Sequence, residues 1–198
     1  MGRLVKVYFY IFLISIGLFA NCGNRQENRD EMTFRVDRAK LGEKYVNQEL
    51  GFSFFPPKGC VPVPDRMLHV IRDSLATQFS PSEWFIIEPK VIFFDSGNQF
   101  TCVVSSLPNI TYSDSVIIKY QKAIKNQFSQ FQVNQTNYYY HDFRMFQSLI
   151  VTSDRVQFKL FIPQPSNKSF QIDYVIPRTY YVEKIEAIES SIGSIEKR

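Results

Sequence analysis

Two eight-residue runs, "RVQFKLFI" and "SFQIDYVI", constrain the fold of this 198-residue chain more than any other stretch. In the first, Val156, Phe158, Leu160 and Ile162 alternate with other residues; in the second, Phe170, Ile172, Tyr174 and Ile176 do the same. Successive side chains of a strand point to opposite faces, so each run presents one apolar face. The intervening "PQPSNK" consists of turn formers, and the pair reads as an antiparallel hairpin with one buried face. An apolar sheet face needs a cover, and the sequence supplies one directly afterwards. In "RTYYVEKIEAIESSIGSIEK", Val182, Ile185, Ile188, Ile192 and Ile195 recur every three or four residues, a helical stripe with Glu186 on its outer face.

The preceding residues extend the same mixture. "LGFSFFPPKG" reads as a strand with Phe52 and Phe54 on one face, ended by Pro56 and Pro57. "PDRMLHVIRDSLATQF" opens with Pro64 and Asp65 and repeats Met67, Leu68, Ile71, Leu75 and Phe79 at helical spacing. "KVIFFDSGNQFTCVVSSL" is a hairpin about Asp95-Ser96-Gly97-Asn98. "SDSVIIKYQKAIKNQF" is a second helix, capped at Ser113 or Ser115, with Ile117, Tyr120, Ile124 and Phe128 on one side. "QVNQTNYYYHDFRMFQSLIVTSD" gives two strands meeting near His141-Asp142. The expected class is α+β: an α/β/α sandwich with a central, mainly antiparallel sheet. "ELGFSFFPPKG", a middle helix, β-rich runs and a terminal helix ending "IESSIGSI" resemble, in that order, the PsbP-like domain, named for an extrinsic photosystem II subunit. The resemblance spans 45–198 and implies the same sandwich; its motifs are structural and carry no chemistry.

The N-terminus reads as an address. Arg3 and Lys6 precede an apolar stretch from Val7 to Ala20, shorter than the roughly 20 residues that a spanning helix needs. The junction "LFANC" resembles a bacterial lipobox, with Phe19 and Asn21 where Leu and a small residue are usual. The resemblance implies acylation of Cys22; ordinary cleavage after Ala20 is the alternative, against which stands the bulky Leu18. Residues 1–21 are thus read as a signal peptide, 22–40 as a lipidated flexible tether and 41–198 as the PsbP-like domain. The protein is expected to be exported and anchored by lipid in a bacterial envelope, at the outer membrane or cell surface.

Removing 1–21 takes two of the 23 basic residues, against 19 acidic ones, so the remaining charge is no nucleic-acid footprint. With Cys22 acylated, Cys60 and Cys102 are left as an even pair: a disulfide, or two separate buried thiols. No nucleophile elbow, phosphate loop, dinucleotide loop or zincin helix is present, and His69 and His141 are not clustered with cysteines. A Cys60–His69 dyad would need the fold to bring the two together. No catalytic, cofactor or metal residue is assigned. The sequons at Asn109, Asn134 and Asn167 are read as chance in a bacterial protein. "NYYYHDF" offers Tyr138, Tyr139 and Tyr140 either as an aromatic contact surface or as cross-strand packing. Lys119, Lys122 and Lys125 form a basic edge on their helix, facing anionic headgroups or simply solvent. The expected function is a non-catalytic binding or scaffold module with an envelope protein or glycan as partner. The alternative is an envelope hydrolase with an unrecognised active site.

Overall fold

The computed structural model describes residues 32–198; residues 1–21, read as a signal peptide, and Cys22 lie outside the described residues. A seven-stranded sheet forms the centre. Its strands are β3 (Val61–Pro62), β4 (Glu88–Asp95), β5 (Phe100–Ser106), β6 (Gln132–Tyr140), β7 (Phe143–Val151), β8 (Arg155–Ile162) and β9 (Phe170–Pro177). Their spatial order is β3-β4-β5-β9-β8-β7-β6, and every pairing is antiparallel. A small sheet joins β1 (Tyr45–Asn47) and the C-terminal β10 (Glu196–Lys197) to β2 (Phe52–Phe54). Three helices complete the fold: α1 (Asp65–Phe79), α2 (Asp114–Gln127) and α3 (Tyr181–Ile192). Helices α1 and α2 cover one face of the large sheet; α3 and the small sheet cover the other. The class is α+β, an α/β/α sandwich about an antiparallel sheet.

Each element follows from local chemistry. Ser113 caps α2 by accepting a hydrogen bond from the Val116 amide, and Val116, Ile117, Tyr120 and Ile124 are buried beneath it. His141, at φ 50°, makes the two-residue turn that joins β6 to β7 with Tyr140 opposite Phe143. Phe158, Leu160, Ile162, Phe170, Ile172 and Tyr174 meet Phe52, Phe54, Ile188, Ile192 and Ile195 in the core under α3. Phe52 stacks on Phe170 with centroids 4.0 Å apart.

Four expectations are corrected. The β8–β9 hairpin is buried on both faces, because α1 and α2 enclose Lys159, Phe161, Gln171 and Asp173. In α1 only Leu68 and Phe79 of the expected stripe are buried; Met67 and Ile71 are exposed, because the helix meets the sheet along its Leu68–Leu75–Phe79 line. Val182 is 84% exposed, since the first turn of α3 lies beyond the sheet. Residues 32–40, read as tether, are packed on the domain. The Met32 amide donates to the Tyr139 carbonyl, Phe34 sits edge-on against Tyr140 with centroids 5.0 Å apart, and the Asp37 amide donates to Ser190 Oγ. Gly193 receives this strap: a Cβ there would lie 2.4 Å from the Phe34 Cβ.

The docking of α3 is testable. Ile188 is fully buried, whereas Glu186 is exposed and pairs with Lys40 at the surface. Ile188→Ala is expected to cost about 2–5 kcal/mol through lost burial and a residual cavity. Glu186→Ala should cost less than about 0.5 kcal/mol. Denaturant midpoints compare the two directly, and equal midpoints would mean that α3 is not docked.

Candidate functional site

The most developed polar arrangement lies inside the molecule, between the sheet and the end of α1. Lys159 and Asp173 stand directly opposite each other in the β8–β9 register, both buried, with Nζ 2.6 Å from Oδ1. Lys159 also donates to the Phe79 carbonyl at 3.0 Å, with its ammonium 5.2 Å from the centre of the Phe79 ring. Gln171 donates to Asp173 Oδ2 and to the same Phe79 carbonyl, and accepts from the Tyr120 hydroxyl at 2.6 Å. Gln157 adds a donor to Asp173 Oδ1 at 3.2 Å. Burial pushes the Asp173 carboxyl up and the Lys159 ammonium down; the attraction between them opposes both shifts. Both side chains are buried, and each is held by partners inside the protein, which makes them structural supports.

What they support is a surface groove. The Phe79 carbonyl closes α1, and residues 80–87 then cross toward β4. The Ser80 hydroxyl lies 2.6 Å and 2.7 Å from the carbonyls of Ser82 and Phe85, folding the segment on itself. Gln127 of α2 donates to the Ser80 carbonyl, and Asn109 to the Trp84 carbonyl. Phe85 is buried edge-on against Tyr120, centroids 5.2 Å apart. Its neighbour Trp84 points outward, 46% exposed. Between this segment and α2 lies a groove of about 540 Å³ whose walls include Trp84, Phe85, Lys119, Lys122 and Ala123. Lys119 Nζ sits 4.8 Å from the Trp84 ring centre. The groove thus joins a flat apolar surface to two cations on a segment fixed from several directions.

Of the candidates named from sequence, Lys119 and Lys122 line this groove, and Lys125 is exposed outside it. Of the two readings of Tyr138, Tyr139 and Tyr140, packing holds for Tyr138 and Tyr140, which are not available as a contact surface. Tyr138 and Tyr140 are buried under Phe34, with hydroxyls donating to Gln147 Oε1 and to the Gly193 carbonyl. Tyr139 is half-buried, with the Arg144 guanidinium 5.8 Å from its ring centre. Cys60 and Cys102 are free thiols. Both are buried in the core under α3, Cys60 in the turn before β3 and Cys102 on β5. Cys60 borders a separate cleft with Tyr45 and Phe93; burial, then the nearby Asp95 charge, pushes its thiol up to about 12, which leaves it protonated. His69 is exposed on α1, across the sheet from Cys60, so the dyad is not assembled. His141 is an exposed turn residue. Among the described residues no group of three His, Cys, Asp or Glu could hold a metal ion.

The sequence reading missed Trp84, Lys159 and Asp173. Phe161 was the available signal for the buried pair: an apolar residue on the strand face otherwise read as solvated.

Lys159→Met leaves the Asp173 carboxylate buried without its cation and should cost about 3–5 kcal/mol. Adding Asp173→Asn, which removes the unpaired charge and keeps an acceptor for one of the two donors Gln157 and Gln171, should restore part of that loss. Urea midpoints of the two single variants and the double variant measure the coupling. Additive losses would mean that the pair does not act as a unit.

No family profile and no curated protein sequence matches the chain. Among solved structures it is similar to the solution structure of cyanobacterial PsbP (CyanoP) from Synechocystis sp. PCC 6803. The TM-score is 0.48 and the identity 15%, over 82% of this chain and 95% of that one.

Proposed function

We propose that this protein is a non-catalytic binding module of the bacterial envelope, held at a membrane through a lipidated Cys22. Its contact surface is the groove between residues 81–85 and α2, and its partner is an acidic segment of an envelope protein. The observation that carries this reading is Trp84, which stands exposed on a rigidly held segment with Lys119 over its ring. Lys119 and Lys122 are the charged residues of the groove wall, so the complementary ligand carries carboxylates beside an apolar or aromatic group.

Trp84 is the one tryptophan of the chain, so its emission reports on this groove alone. Titration with a short peptide of glutamate and phenylalanine should shift that emission in a salt-sensitive way, and a lysine–phenylalanine peptide should not. Lys119→Glu should weaken the acidic peptide at least tenfold, about 1.4 kcal/mol. Indifference of Trp84 to the acidic peptide would refute the ligand class.

The anchor has its own test. A fatty-acid analogue should label the wild-type protein, and Cys22→Ala should abolish the label and release the protein from membranes, because acyl chains supply most of the membrane affinity. Unlabelled wild-type protein would exclude lipidation.

A further inference from the structure

The large sheet has two edges, and they are built differently. At one edge β3 is two residues long and contains Pro62, features that prevent further pairing. At the other edge β6 runs for nine residues, "QVNQTNYYY", with no charge, no proline and an unbroken register against β7. In a two-residue hairpin with Tyr140 opposite Phe143, the even-numbered residues of β6 exchange backbone bonds with β7. The odd-numbered ones therefore turn their N–H and C=O groups outward. Tyr139 confirms the phase: its carbonyl accepts from the Met32 amide. Among the described residues nothing pairs with the outward groups of Val133, Gln135 and Asn137. The Gln135 side chain, donating to the Gln121 carbonyl and to Ser148 Oγ, fastens the strand to α2 and to β7.

We propose that β6 is the interface of a two-fold dimer, in which it pairs antiparallel with β6 of a second copy to make one continuous fourteen-stranded sheet (seven strands from each copy). Met32 occupies Tyr139 and so bounds the free edge; its midpoint is Gln135. Centred there, Val133 pairs with Asn137 of the other copy and Gln135 with its own counterpart. These three pairs exchange six backbone hydrogen bonds. A symmetric interface brings each edge residue near its own kind, which penalises a charged edge, and β6 carries no charge. The two-fold axis of antiparallel pairing is normal to the sheet, so the same face of each copy points the same way. Phe34 packs on the face that carries Tyr138 and Tyr140, so both N-terminal straps enter from one side. That arrangement suits two anchors in one membrane, a point that rests on the proposed acylation of Cys22; the strand pairing does not.

The test uses the full chain extracted in detergent. Light scattering should give the protein mass of two chains. Asn137→Pro removes an outward N–H without touching the β6–β7 ladder, and should give one chain that still unfolds in a single cooperative transition. Asn134 faces Thr136 of the other copy in a pair whose Cα atoms lie about 4.5 Å apart. A mixture of Asn134→Cys and Thr136→Cys chains should therefore form a disulfide-linked heterodimer on mild oxidation, and neither variant alone should cross-link. A wild-type mass of one chain overturns the proposal, whether or not another protein accompanies it. So does a dimer that survives Asn137→Pro, or one whose mixed cysteines stay unlinked.

Discussion

The buried pair of Lys159 and Asp173 organises the helix-covered half of the molecule. The two residues lie opposite each other in the central hairpin, and through the Phe79 carbonyl they fix where α1 stops. Gln171 adds a second hold on that carbonyl and links it to Tyr120 of α2. A buried ion pair gains little over apolar residues of the same size, because desolvation offsets the attraction. Its effect is one of position. Only one register of β8 against β9 joins the charges, and only one placement of α1 supplies the carbonyl. A slip of one residue would turn one of the charges to the opposite face, among Phe52, Phe54 and Ile188, and leave the other buried without its partner.

Periodicity made the fold legible where the core is made of apolar side chains. Val156, Phe158, Leu160 and Ile162, and their partners on β9, could be assigned a buried face because alternation has no other cause there. The same rule assigns polar residues to solvent, and so it misplaced Gln157, Lys159, Gln171 and Asp173, whose burial depends on partners brought in by tertiary structure. Tyr138 and Tyr140 are covered by Phe34, which follows a charged stretch that composition assigns to tether. Trp84 lies in an irregular segment between two helices' worth of packing, where no period exists to mark it. Lys119 and Lys122 were visible as a basic helical edge, but the aromatic that gives them a site was not.

The two faces of the sheet are put to different uses. On the side of α3 the first and last described segments are gathered: the strap of residues 32–37, the helix and β10 share one core with β1 and β2. On the other side the helices stand apart enough to leave grooves, and the apolar residues Met67, Val70, Trp84 and Ile86 remain exposed.

The small sheet has a consequence for how the protein is made. Strand β2 pairs with β10, and the Arg198 amide donates to the Gly51 carbonyl, so a central element of the N-terminal region is completed by the last residue of the chain. Ser191 and Ser194 likewise hold the Phe55 carbonyl and amide. During synthesis, from the N-terminus onward, β1 and β2 emerge about 140 residues before the strand that finishes their sheet. The β1–β2–β10 sheet closes only once residues 196–197 have been made.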